Sequence, residues 1–144
     1  MSNLRRFGVE TMQIIKGGHS GTASQHRTDT FTGTVWADAV MGQSDGVAIT
    51  SVSFSPGART NWHRHEAGQI LVVTSGSGHI YDRDGTGGPI TVGDVVFIPP
   101  DEEHWHGAGP DTFMVHLAIS LKHNEWLEPV TDEQYRDAIA GAGA

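Results

Sequence analysis

The chain of 144 residues contains no cysteine, which excludes disulfides, iron–sulfur clusters and thiolate zinc sites. Positive charge is also scarce, with 9 Lys and Arg against 17 Asp and Glu and a formal net charge of -8. No basic run exceeds Arg5-Arg6, so the patch that a nucleic-acid partner demands is missing. No window approaches the roughly 18 apolar residues of a membrane span, and Met1 to Phe7 lacks the apolar stretch of a signal peptide. A cytoplasmic protein with neither a membrane nor a nucleic-acid partner is expected. No Ser-His-Asp order, phosphate-cradling glycine loop or dinucleotide fingerprint occurs either, so catalysis has to run through another kind of centre.

What is present is a hydrophobic fraction of 37%, enough to bury the core of a single domain covering residues 1–144. Residues 1–29 read as a polar arm, loosely ordered or draped on a neighbour, and this arm predicts a homodimer or higher homo-oligomer through strand exchange or docking. Residues 30–121 carry short period-two runs. These are Phe31 to Trp36, Val47 to Phe54, Gln69 to Thr74, His79 to Arg83, Ile90 to Thr91, Asp94 to Ile98, His104 to Gly107 and Thr112 to Ser120. Turn chemistry separates them at Ser55-Pro56-Gly57, Ser75-Gly76-Ser77-Gly78 and Asp84 to Pro89. Many short strands at regular spacing predict an all-β sandwich or barrel. In the extension 122–144, Thr131-Asp132-Glu133-Gln134 is a capping box, and Tyr135, Ala138 and Ile139 give the apolar stripe of a short helix that Gly141 should end before a fraying tail.

The chemistry-bearing feature is His63-Arg64-His65, followed by Gln69 and later His104. On an extended strand, residues two apart share a face, so His63 and His65 aim the same way. With Gln69 and His104 they have the types and spacing of one mononuclear metal site with positions left open for substrate. The imidazole and oxygen donors suit Mn, Fe, Ni, Cu or Zn. His106, two after His104, shares its face and is a candidate general acid/base, or else a core histidine bonded to a backbone carbonyl. His116 lies on one face with Met114, Ala118 and Ser120; with Thr50 and Val52 it is a candidate for the pocket wall. Trp62 and Trp105 flank the ligands on the opposite face and are expected to pack between layers. His19, His26, His79 and His123 have no ligand spacing and read as structural.

Two stretches carry a resemblance. Gly57, five residues, His63-x-His65, three residues, Gln69, six residues, Gly76 resembles the first motif of the cupin family; Gly93, five residues, Pro99, then His104 resembles the second. Gln69 stands where that family usually has glutamate, and Asp101 and Ala108 stand at its usual Gly and Asn positions. The resemblance implies a jelly-roll barrel, the double-stranded β-helix. Pro56 to His65, Gly68-Gln69, Gly93 to Val96, His104 to Ala108 and Val130 to Tyr135 look more closely like the small bacterial cupins that include manganese-dependent hydroxynitrile lyases. For that group the resemblance implies one Mn held by His63, His65, Gln69 and His104, with His106 moving the proton as a cyanohydrin splits into aldehyde and cyanide. Three imidazoles and an amide leave the ion its full double charge, which strengthens it as a Lewis acid. The alternatives are a metal-dependent dioxygenase acting on a small enolizable or aromatic substrate, or a cupin that only binds a small ligand.

Overall fold

Alternation of β-branched and aromatic residues with polar ones favours strands that are half buried, and the computed structural model, which describes residues 11–142, is built on that pattern. Its strands are β1 Gln25–Arg27, β2 Phe31–Thr32, β3 Val35–Ser44, β4 Val47–Phe54, β5 Arg59–Thr60, β6 His63–His65, β7 Gln69–Asp82, β8 Gly87–Thr91, β9 Val95–Ile98, β10 His104–Ala108, β11 Met114–Leu121 and β12 Asn124–Trp126. One helix, α1 Asp132–Ala142, follows. The strands run in the order β1-β3-β4-β11-β7-β10-β5-β2, with β8 and β9 also on β7, and β6 joining β10 to β12. Pairing is antiparallel throughout, and the sheet curls into a nearly closed barrel, the jelly roll of the sequence reading.

The chain departs from the expected elements where tertiary pairing overrides local turn signals. Ser75 to Gly78 is not a turn: β7 runs unbroken through it, its first part pairing with β11 and β9 and its second with β10 and β8. The strand bends there from one sheet into the other, and the pairing with β11 shifts register at Val115/His116. The expected strand Phe31 to Trp36 divides into β2 and β3, and β3 extends to Ser44. In the arm, Gln25–Arg27 pairs with β3 of the same chain, while residues 1–10 lie outside the described residues. The helix continues one residue past Gly141, and the last two residues of the expected fraying tail are also outside the described range.

Two apolar clusters follow from the two faces of the sheet. Val35, Phe54, Leu71, Val73, Ile98 and Met114 fill the barrel. Trp62, Tyr81, Trp105, Val130 and Tyr135 pack outside it, under α1, with Ala138 and Ile139 against them. This is the packing expected of Trp62 and Trp105. The helix starts with the reciprocal bonds of a capping box, Thr131 N to Gln134 Oε1 at 2.9 Å and Gln134 N to Thr131 Oγ1 at 3.0 Å. Buried Arg59 ties it to the barrel, donating to Val130 O at 2.9 Å and Asp132 Oδ1 at 2.7 Å while stacking over the Tyr135 ring at 4.7 Å.

Gly76 has φ +72°, and a Cβ there would collide with the Phe113 carbonyl. Gly57 has φ +81° with nothing within 4 Å of such a Cβ. Gly76→Ala should therefore cost about 3 kcal/mol or more, strain and collision together, and Gly57→Ala only about 1 kcal/mol of strain; denaturant titration of both variants checks the order. The hydrogen bond from Arg59 holds the Asp132 carboxyl below its ordinary range. A carboxyl depressed in the folded state stabilises the fold above its unfolded pKa of about 3.9 and loses that contribution as pH falls through the folded value. The stability difference between wild type and Asp132→Asn should be present at neutral pH and shrink on acidification below pH about 4.

Candidate metal centre

The interior of the barrel gathers the predicted residues at one end. His63 on β6 is the register partner of His104 on β10, which brings residues distant in sequence side by side. Along β6, β10 and the residue before β6 the alternation works as expected: His63, His65 and His106 line the cavity, His104 packs its ring against His63 and His106, and Trp62 and Trp105 face the outer cluster. Gln69 opens β7 opposite Ser120 of β11 and donates from Nε2 to Ser120 Oγ at 3.0 Å. His63, His65, Gln69, His104 and His106 are each no more than 4% exposed.

Hydrogen bonds fix which ring nitrogens are free. His63 Nδ1–H donates to Asn61 O and His104 Nδ1–H to Glu102 O, both at 2.9 Å. Because a carbonyl only accepts, each Nδ1 carries the proton and each Nε2 presents a lone pair. Burial, the largest cause in each case, pushes the pKa of His63 and His106 well below the usual imidazole range, lowers that of His104, and takes His65 to about 4; His104 adds to the depression of His65. The rings are therefore neutral at pH 7.

Gln69 Oε1 stands 3.2 Å from His104 Nε2. With the amide oriented by Ser120 and the His104 proton on Nδ1, two acceptors face each other inside the protein. Both nitrogens of His65 and Nε2 of His106 are buried without a partner. A neutral imidazole carries one N–H and one lone pair, so His65 contributes one of these unpaired acceptors; unsatisfied buried acceptors are costly, and a divalent cation converts such convergent lone pairs into bonds. The residues thus fit a metal. The tightest histidine triple is His63, His104 and His106, with ligand atoms within 4.8 Å of one another. His65 belongs to the same group, its ring 5.1 Å from His63 and 5.7 Å from His104 between centroids.

Next to the centre lies a cavity of about 310 Å³. Thr50, Val52, His116 and Ser120 line it, together with small Ala37 and Ala118. His116 Nε2 lies 3.0 Å from His106 Nδ1, leaving the opposite nitrogen of His106 toward the cavity. Burial brings His116 to a pKa of about 4, so this pair too is neutral. Phe31 and Trp126 form an aromatic wall, their ring centroids 5.5 Å apart, and Trp126 lies 4.6 Å from His63. Sequence spacing did not mark these two, because β2 and β12 reach the site only through pairing with β5 and β6. The Asn61 and Glu102 contacts are made by backbone carbonyls and leave no side-chain signal. Of the histidines read as structural, His26 stacks on Trp36 at 4.8 Å and His79 meets Tyr81 Oη at 2.9 Å.

The cupin domain profile matches residues 50–119. Among curated proteins, the (R)-mandelonitrile lyase of Granulicella tundricola is 47% identical over 131 residues, 87% of this chain and 99% of its own. Among solved structures, a cupin-like protein of Thermotoga maritima is 40% identical with a TM-score of 0.76, covering 90% of this chain and 99% of the other. The polyketide cyclase RemF of Streptomyces resistomycificus shares the fold at 18% identity and a TM-score of 0.68, over 92% of this chain and 99% of the other.

Purified protein should carry about one divalent ion per chain, and a His63→Ala, His104→Ala double variant should carry none and melt at lower temperature, because an ion bound to the folded state contributes folding free energy. His65→Ala and His106→Ala then separate the two neighbouring candidates, with metal loss in the first and retention in the second expected on elemental analysis.

Proposed function

This chain belongs to the cupin family, and from that premise we propose that it is a metal-dependent lyase that splits cyanohydrins into an aldehyde and cyanide and runs the reverse addition. The likeness to the mandelonitrile lyase, 47% identical over nearly the whole of both chains, carries the reading. Its support in the molecule is a buried, neutral donor set beside a cavity lined by two further histidines, His106 and His116.

His63, His65, Gln69 and His104 would hold the ion, with manganese the favoured occupant and Fe, Ni or Zn also compatible with these donors. When bound, the ion supplies Lewis acidity toward a hydroxyl oxygen. Thr50, Val52, Ala118 and the Phe31–Trp126 wall enclose the substrate and keep bulk water from it. His106 meets His116 through Nδ1; with that nitrogen protonated and donating to His116 Nε2, the unpartnered Nε2 of His106 offers a lone pair. It takes the hydroxyl proton as the O–H electron pair closes the carbonyl and the C–C pair leaves with cyanide; the proton then passes to cyanide. The reverse reaction uses the same residue in the opposite sense. Gln69, neutral where a carboxylate would cancel one charge, keeps the ion strongly electrophilic.

His106→Asn should retain the metal while mandelonitrile cleavage falls on the order of 10²-fold or more, the scale of one general acid/base. Assays of aldehyde release on metal-replete protein check this, and undiminished turnover would remove His106 from the proposed chemistry.

A further inference from the structure

The chain carries 17 acidic residues against 9 Lys and Arg, yet the lining of the metal cavity includes Arg27 and Lys122 and no Asp or Glu at all. Gln43 and Asn124 complete the polar rim. In a molecule with a formal net charge of -8, an acid-free cavity edged by two cations is a local reversal of sign, and a concave surface concentrates that field on whatever enters. Among the described residues, ion pairs are made by Arg59, Arg64 and Arg83 and by neither Arg27 nor Lys122.

Both cations sit on structure that holds the rim in place. Arg27 ends β1 and is the register partner of Val35 on β3. Lys122 follows β11 with φ 62°, a left-handed conformation that side chains other than glycine seldom adopt, and its N–H donates to Gly46 O at 2.6 Å. Such a backbone persists only where its surroundings impose it. From rim to metal centre the cavity is walled by rings and small apolar groups: Phe31, Trp126, Ala37, Val52 and Ala118. Its volume of about 310 Å³ is at the small end for ligand pockets, room for one ring or short chain.

We infer that the substrate of this cavity is bifunctional, with the reacting oxygen at the histidine centre and a carboxylate at the opposite end, received at the rim by Arg27 and Lys122. This rests on the reading of the same cavity as the reacting site, and within cyanohydrins and aldehydes it favours those bearing a distal acid over their neutral counterparts, which still react. A neutral substrate gains nothing from the two cations, whereas an anion gains two exposed charge contacts and a faster approach.

Calorimetric titration of the metal-loaded protein with 4-(hydroxymethyl)benzoate and its neutral amide tests the assignment without requiring turnover. The acid should bind about tenfold tighter than the amide at low ionic strength, as two surface charge contacts allow, and the preference should shrink as salt is added. An Arg27→Gln, Lys122→Gln variant should keep its metal and its affinity for the amide but lose the preference, and an Arg27→Lys, Lys122→Arg variant should retain it. Equal affinity for the two probes, no binding of the acid, or a preference unchanged in the Gln variant would overturn the inference. Parallel assays of cyanide addition to 4-formylbenzoate and benzaldehyde keep the two readings apart: no addition to either, with the binding preference intact, would defeat the lyase reading and leave the carboxylate site standing.

Discussion

Everything at the functional end of the barrel depends on one electrostatic constraint: uncharged imidazole nitrogens and an amide oxygen converge there without protein partners for their lone pairs. The Nε2 lone pair of His104 faces Gln69 Oε1 at 3.2 Å, and the His65 nitrogens and His106 Nε2 have no partner. Desolvation keeps the rings from protonating to solve the problem themselves. A divalent ion would resolve it, and the carbonyls of Asn61 and Glu102 that fix the His63 and His104 tautomers would hold the lone pairs in readiness for it.

The rest of the fold serves that arrangement. Strands β6 and β10 each place alternate residues on opposite faces, so the segments that deliver His63, His65, His104 and His106 inward also deliver Trp62 and Trp105 outward, into the cluster beneath α1. The helix clamps the outer surface of the ligand strands through Arg59, through Tyr135 Oη donating to Ala108 O at 2.7 Å, and through the apolar contacts of Ala138 and Ile139. Rigidity on the outside is what keeps donors in register on the inside.

Much of this was legible in the sequence because it depends on period-two alternation and on side-chain type. The pair His63 and His65, the shared face of His104 and His106, the cavity side of His116 and the capping box at Thr131 all follow from local geometry. The bend through Ser75 to Gly78 was not legible: four turn-prone residues look alike whether the chain reverses or changes sheet, and only the competing partners β11 and β10 decide it. The placement of Phe31, Trp126 and Arg27 at the cavity was equally hidden, since each lies on a short segment brought there by long-range pairing, and Lys122 is set at the end of β11 by a backbone bond to Gly46 that no spacing signals. The proximity of His106 to the ligand group, as close to His63 and His104 as a ligand would be, also lies beyond what spacing alone resolves.

A barrel shared with a cyclase at 18% identity says little about chemistry; the donor set, the cavity and the close relative together say more. We propose that a metal held by these residues drives cyanohydrin cleavage without oxygen. The most direct test is aldehyde release from mandelonitrile under argon and under air, before and after removal of metal by a chelator. Equal rates in the two atmospheres, loss of turnover on chelation and recovery when a divalent ion is returned are expected; turnover that is indifferent to chelation, or none from fully loaded protein, would rule out metal-driven cleavage at this site.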